Sequence, residues 1–360
     1  MQSPTRIVHI IPTFSSGGAE RLVLEYAVHL DHKEYDVSVA SCVEDGELRP
    51  LVEKTGVDVC VGSRKLHGGR IGALRFVWKF LLQQKPDILH SHLISSDVFA
   101  FLYTRFYRQT RWVTTLHNVE HNRPWWYHIV WRFILKKADK IIAVSPVVAS
   151  YAEKTFGLSS DDVQIVLNGI DLERWEPVAQ VPVLQNSTMQ IATIGRFEEQ
   201  KGHTYLFDAL VQIKDLDWQY HIFGDGSLRD VLEKKAKDLG IDERIIWHGV
   251  VSTLPDQLMK IDIVVQPSLW EGLSLTVMEA MAAGKILVTT DPAAEGLAKD
   301  KKTAYIVPVA HSDSLAIALR RIYTHKEEAS TIATEGRSYA KNHFSFDAHL
   351  EALTAVYHSL

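Results

Sequence analysis

Residues 271–284 read EGLSLTVMEAMAAG and set two carboxylates, Glu271 and Glu279, eight residues apart around a short polar turn and the start of an apolar helix. Ser274 is placed to cap that helix, Leu275, Val277, Met278 and Met281 give it a buried face, and Gly284 stands where a left-handed C-cap belongs. Glu271 then lies on the loop and Glu279 inside the helix. The backbone N–H groups of Ser274, Leu275, Thr276 and Val277 would sit at a helix N-terminus, where phosphate binds readily. The stretch therefore offers a phosphate seat flanked by two acceptors for sugar hydroxyls. Such a carboxylate pair could also be the acid and nucleophile of a glycosidase, but its placement around a helix start speaks against that.

Other residues have the types and positions that a site needs. Arg196 and Lys201 follow the apolar run IATIG and are flanked by Gly195 and Gly202, which let backbone approach closely. His117 closes WVTTLHN and opens a polar loop with Asn118, Glu120 and His121. Gly17 and Gly18 form a turn between a strand and a helix, suited to an approaching sugar or phosphate, although the pattern is not GxGxxG. Asp225 in FGDG reads equally well as a ligand contact and as a helix N-cap. His90 and His92 in LHSH imitate metal ligands, but no Asp-x-Asp pair or third ligand at useful spacing accompanies them. Neither a metal nor a cofactor is expected.

The elements that must position these residues alternate throughout. The first half runs RIVHII, a helix over 20–30, DVSVASC, VDVCVG, a helix over 71–84, DILHSH, a helix over 96–107, WVTTLHN, a basic aromatic helix, KIIAVS and QIVLNGID. Such alternation predicts a parallel sheet covered by helices, with ligands beyond the carboxyl ends of the strands. Residues 176–187, EPVAQVPVLQNS, read as a linker. MQIATIG then restarts the rhythm, with helices over 203–213 and 227–239 and strands YHIFGDG, IIWHG, DIVVQPS, ILVTT and YIVPV. Residues 314–360 read as helical, with breaks near Gly336 and at 344–346. At 360 residues two domains are favoured over one. The expected boundaries are 1–175 for the first domain, 188–340 for the second, and 341–360 for a last helix.

Composition is that of a globular protein, 46% hydrophobic and 23% charged, with no run long enough to span a bilayer as a helix. The opening apolar run is short and ends at Pro12, so it reads as a buried strand rather than a signal peptide, and a cytoplasmic protein is expected. Cys42 and Cys60 have no metal spacing and suggest small buried side chains. A net charge of −5 argues against nucleic acid as a partner. The average conceals an asymmetry, because between residues 64 and 140 Lys and Arg outnumber Asp and Glu by about ten. Within it, RPWWYHIVWRFILKKADK at 123–140 combines Trp125, Trp126, Tyr127, Trp131 and Phe133 with Arg132, Lys136, Lys137 and Lys140. Such a helix suits the interface of an anionic bilayer, and it suits equally a core-facing helix with a solvated basic side. The basic surplus favours the first, which would put the protein at the inner face of the cytoplasmic membrane.

With GGAE at 17–20, HSH at 90–92, TLHN at 115–118, AVSP at 143–146, NGID at 168–171, GRFEEQKG at 195–202, FGDGSLR at 223–229, HG at 248–249 and the 271–284 stretch in this order, the chain resembles the retaining GT-B glycosyltransferases of family-four type. The resemblance implies an α/β GT-B fold, two Rossmann-like domains facing across a cleft, with the last helix returning to the first domain. It implies that Arg196 and Lys201 clamp the diphosphate, that Glu279 holds the ribose hydroxyls, that Glu271 sits beside the transferred sugar, and that His117 lies near the anomeric carbon. Gly17, Gly18, Gly249, Ser274, Leu275 and Thr276 complete the expected donor site. The expected catalytic set is His117, Arg196, Lys201 and Glu271.

The expected reaction is metal-independent retaining transfer from a UDP-sugar to a lipid-linked or surface-glycan saccharide, the leaving phosphate oxygen taking the acceptor's proton. Glu120 is the only carboxylate near His117 in sequence that could act as nucleophile. A nucleotide-sugar epimerase and a non-catalytic sugar-nucleotide-binding module are the alternatives. One departure stands out: after ILVTT the family carries a double glycine and a glutamate, whereas this chain has Asp291, Pro292, Ala293, Ala294, Glu295 and Gly296. The pocket for the transferred sugar is expected to be reshaped.

Overall fold

The computed structural model describes residues 3–15, 17–119, 124–251 and 253–360. The chain divides into two compact units, Met1–Asn168 with His349–Leu360, and Gly169–Ala348.

The first unit carries β1 (Thr5–Ile11), α1 (Gly18–His29), β2 (Tyr35–Ser41), α2 (Arg49–Lys54), β3 (Asp58–Val61), α3 (Arg70–Gln84) and β4 (Ile88–His92). It continues with α4 (Ile94–Phe106), β5 (Arg111–Leu116), α5 (Trp125–Leu135), β6 (Lys140–Ala143), α6 (Pro146–Phe156) and β7 (Val163–Ile165). The second unit opens with α7 (Leu172–Ala179), β8 (Met189–Ile194), α8 (His203–Gln212), β9 (Trp218–Phe223), α9 (Arg229–Asp238) and β10 (Ile245–Gly249). Next come α10 (Leu254–Leu258), β11 (Ile263–Gln266), α11 (Leu275–Ala282), β12 (Ile286–Thr290), α12 (Asp291–Ala294) and β13 (Tyr305–Val307). The second unit closes with α13 (Ser312–Thr324) and α14 (Lys326–His343), and α15 (Phe346–His358) belongs from His349 onward to the first unit.

Each unit is a parallel sheet covered by helices. The seven-stranded sheet has the order β3-β2-β1-β4-β5-β6-β7 and the six-stranded one β10-β9-β8-β11-β12-β13. Strands buried on both faces need continuous apolar runs, and β11 and β12 are buried along their whole length. The order reverses between β1 and β4 in one sheet and between β8 and β11 in the other. Beyond the carboxyl ends of strands at such a switch point, diverging crossovers leave a crevice. The turn after β1, the segment after β4, the 195–202 loop after β8 and the 267–274 loop after β11 lie there.

The strands follow their sequence patterns closely, and the differences have local causes. Glu176 to Ala179, read as the start of a linker, are helical in α7, whose Trp175 and Val178 are buried; Pro177 removes only one helical hydrogen bond near its end. Gly336 does not break the last segment but sits inside α14. A Cβ there would lie 2.7 Å from the Thr303 carbonyl oxygen, so this glycine serves close helix–loop packing. The interruption falls at His325, between α13 and α14, in addition to the expected one before Phe346.

Candidate active site

In the second unit the site grows from the loop after β8. Gly202 has φ +63°, and a Cβ on it would fall 2.0 Å from the Pro267 carbonyl oxygen. Only glycine lets the 195–202 loop lie so close to the 267–274 loop. The backbone N–H of Leu269 donates to the Gln200 carbonyl at 2.8 Å and ties the two loops together. A single 3-10 turn, Glu199–Lys201, then delivers Lys201 onto Glu271, with Nζ 2.6 Å from Oε1. Both side chains are largely buried, at 15% and 7% exposure. Ser268 Oγ donates to the same carboxylate at 2.7 Å, and Gln200 Nε2 donates to Oε2 at 3.3 Å. A buried ion pair so surrounded by donors is fixed in place, and removing one partner would strand the other's charge.

Arg196 differs from Lys201. It is exposed, and its guanidinium makes no hydrogen bond or ion pair among the described residues. The unit thus presents one neutralised cation and one unneutralised cation on a single loop. Ser274 occupies the N-cap position of α11, but its side chain makes no cap bond, and its buried Oγ has no partner among the described residues. Ser274 therefore leaves the first N–H groups of α11 without a cap from its side chain, open to an anion. Leu275 and Thr276 are half-buried in its first turn, and Glu279 is half-buried in its middle. Gly284 has φ +64° and ends the helix as the sequence suggested.

Gly249 ends β10 with φ +67°, faces open space, and accepts from Gly224 N–H at 2.8 Å. Asp225 is committed locally: Oδ1 accepts from Gly226 N–H at 2.8 Å, and Oδ2 pairs with Arg229 at 3.3 Å. Asp291–Ala294 form α12 with Ala293 and Ala294 buried, so the altered loop after β12 is an apolar turn.

In the first unit, Gly17 caps α1 with extended backbone and Gly18 is its first residue. The Glu20 carboxylate folds over Gly17, where a Cβ would meet it at 2.1 Å. His117 follows β5 and belongs to a line of imidazoles: His9 Nδ1 lies 3.1 Å from His92 Nε2, and His92 Nδ1 lies 3.0 Å from His117 Nε2. His90 engages the Tyr357 hydroxyl and Thr115 Oγ1, each at 2.7 Å. Burial holds His9 and His117 down to about 3, the latter also through His349, and keeps His90 and His92 well below the usual histidine range. The whole line is therefore neutral at physiological pH.

The expectation that His90 and His92 lack a third companion does not hold. His9 joins them, and ligand atoms of the three lie within 4.8 Å of one another. Its sequence signal was a polar residue inside RIVHII, and the parallel register pairs His9 with His90 directly. Both nitrogens of His90 and of His92 are already engaged with other side chains, so the trio is a hydrogen-bonded set. Glu120, His121 and Arg123 lie outside the described residues.

The family model described as Glycosyltransferase Family 4 matches residues 16–174, and the one described as Glycosyl transferases group 1 matches residues 188–325. The chain belongs to the group 1 glycosyltransferases. This glycosyltransferase is 24% identical over 250 residues to the lipopolysaccharide core biosynthesis mannosyltransferase LpsB of Rhizobium meliloti, covering 65% of this chain and 69% of the relative. It is 22% identical to an Escherichia coli UDP-Gal:alpha-D-GlcNAc-diphosphoundecaprenol alpha-1,3-galactosyltransferase, covering 99% and 97%. Among solved structures, Anabaena HepE in complex with UDP-glucose superposes with a TM-score of 0.87 at 19% identity, over 99% of this chain and 100% of that one. The glycosyltransferase thus has the GT-B fold.

Proposed function

We propose that this glycosyltransferase works with retention of configuration, taking its sugar from a UDP-sugar and passing it to a lipid-linked saccharide in the synthesis of a surface glycan. The observation that carries the proposal is in the second unit: an Arg196 with no partner among the described residues, the Lys201–Glu271 pair and a helix start without a side-chain cap share two adjoining loops. Cleaving a sugar from a nucleoside diphosphate develops negative charge on the leaving oxygen, which fixed cations and backbone N–H groups stabilise best where water is excluded. Arg196, Lys201 and the N–H groups of residues 274–277 take that role. Glu279 accepts the ribose hydroxyls and Glu271 lies beside the transferred sugar, holding Lys201 ready for the diphosphate. Neutral His117 orients the sugar. The leaving phosphate oxygen takes the acceptor's proton on the same face of the ring, so the step needs no carboxylate nucleophile and no metal.

Two kinds of likeness support the donor and acceptor classes. HepE was solved with UDP and with UDP-glucose, and the Escherichia coli relative is named for a UDP-sugar donor and a diphosphoundecaprenol-linked acceptor. Among the described residues no helix is long and apolar enough to cross a membrane. Helix α5 supplies another means of reaching a lipid acceptor. Its Trp131, Ile134 and Leu135 serve the core, while Trp125, Trp126, Ile129, Val130 and Phe133 stay exposed, Trp125 at 74%. Arg132, Lys136 and Lys137 flank that apolar stripe. An exposed apolar stripe beside cations fits an anionic bilayer, to which α5 docks the enzyme.

The test is the stereochemistry of transfer. With an α-linked UDP-sugar, proton NMR of the first product should show an α anomer; a β anomer would sink the retaining mechanism. Interconversion of the UDP-sugar without acceptor would instead favour an epimerase.

A further inference from the structure

The line of imidazoles in the first unit has two unlike ends. At one end His9 is fully buried, and its Nε2 has no partner among the described residues. Tyr26 stacks on the His9 ring with centroids 5.0 Å apart, its hydroxyl engaged with His349 Nε2 at 2.8 Å. His90 also packs on His9 with centroids 5.0 Å apart, and both of its nitrogens are engaged with Tyr357 and Thr115. At the other end His117 is only half-buried: its Nε2 meets His92 Nδ1 at 3.0 Å, and its Nδ1 has no partner among the described residues. The buried carboxyl of Asp97 takes no part. It lies across β4, where Ser91 and Thr114 donate to it and burial raises it to about 7.

A neutral imidazole carries one N–H and one bare nitrogen, and every link of the line needs one of each. Two arrangements satisfy this. In the first, His9 donates from Nδ1 to His92 Nε2, His92 donates from Nδ1 to His117 Nε2, and His117 keeps its proton on Nδ1. In the second, every proton sits on the opposite nitrogen, so His9 points an N–H into the interior and His117 presents a lone pair. A buried N–H without an acceptor is what folded proteins avoid most, whereas a buried ring lone pair still meets the weak C–H donors around it. The unlike ends therefore select the first arrangement. We propose that His9 and His92 are positioning residues that fix His117 as the Nδ1–H tautomer, so that it meets the sugar as a hydrogen-bond donor and not as a base or nucleophile. The inference rests on the role given to His117 in the transferase reading above and deepens it. A lone pair at that nitrogen could attack the anomeric carbon or take the acceptor's proton, and an N–H can do neither. It suits a sugar oxygen, and the acceptor's proton is left to the leaving phosphate.

The experiment is long-range proton–nitrogen NMR at neutral pH on the full chain, labelled with nitrogen-15 in histidine alone, the rings being assigned from the spectra of His9→Leu, His92→Asn and His117→Gln. In the wild-type protein His9, His92 and His117 should all be protonated at Nδ1 and bare at Nε2. Protonation of His117 at Nε2 overturns the proposal, whether or not any variant folds. In His9→Leu, with a thermal melt to check folding, His117 should populate both tautomers, and kcat/KM with the best of a panel of UDP-hexoses should fall about tenfold. His9→Asn, whose Nδ2 can stand where the ring Nδ1 stood, should restore both. A loss of turnover in His9→Leu with His117 still protonated only at Nδ1 overturns the positioning role. Failure of the wild-type chain to consume any UDP-hexose overturns the transferase reading and the sugar contact with it, whereas Nε2 protonation in a chain that consumes one overturns the tautomer alone.

Discussion

The two units build the same kind of parallel sheet and then equip its switch point in opposite ways. In the first, the strands β1 and β4 and the turn after β5 bring together His9, His90, His92 and His117, all held neutral by burial. In the second, the loops after β8 and β11 bring together Lys201, Glu271 and Arg196, with an uncapped helix start nearby. One scaffold therefore offers uncharged hydrogen-bonding groups and the other offers cations. Neutral imidazoles suit the hydroxyls of a sugar, and cations suit a diphosphate.

The contrast can be broken most sharply at Lys201. Lys201→Ala should lower kcat/KM for transfer by about 10²–10³, since it removes one fixed donor to developing charge. It also leaves Glu271 buried with only neutral partners, so a thermal melt must accompany the kinetics. Unchanged turnover in a folded variant would end the clamp assignment. Glu279→Gln should cost less, about tenfold and mainly in KM for the donor, because it keeps an acceptor for one ribose hydroxyl but loses the charge that strengthens both bonds.

Acid should expose the other half of the contrast. Free histidine titrates near 6.5, whereas His9 and His117 lie near 3 and His349 near 4 in the folded protein. Between those values the unfolded chain binds more protons, so stability holds above about pH 6.5 and falls as pH drops toward 4. Asp97, raised to about 7, works the other way, losing stability as pH rises from about 4 to 7, but it is one group against several. Melting followed across pH 4 to 7 should show a net fall in acid, and His9→Leu should shrink it. The smallest effect concerns the surface: Trp125→Ala with Trp126→Ala should reduce binding to phosphatidylglycerol vesicles in flotation while altering transfer to a water-soluble acceptor by less than about twofold.

Much of this was legible in the sequence because parallel strands and helix signals are local. The β/α rhythm, the αL glycine at 284 and the strands on which His90 and His92 stand all follow from short-range patterns. What was illegible depended on register and approach. His9 could not be joined to His90 without knowing that β1 pairs with β4. Gly336 looked like a helix break, because the Thr303 carbonyl that requires it is far away in sequence. Nothing local to Asp97 in the sequence reveals that one of its oxygens is left without a partner among the described residues. The apolar face of α5 was ambiguous until the core was seen to claim only Trp131, Ile134 and Leu135.

Titration calorimetry of UDP alone separates the two kinds of site most directly. If the second unit holds the diphosphate by charge and the first contributes neutral contacts to the sugar, UDP affinity should fall by about 10² in Lys201→Ala and stay within about twofold of wild type in His117→Ala. A large loss of UDP affinity in His117→Ala, with Lys201→Ala unaffected, would contradict the account.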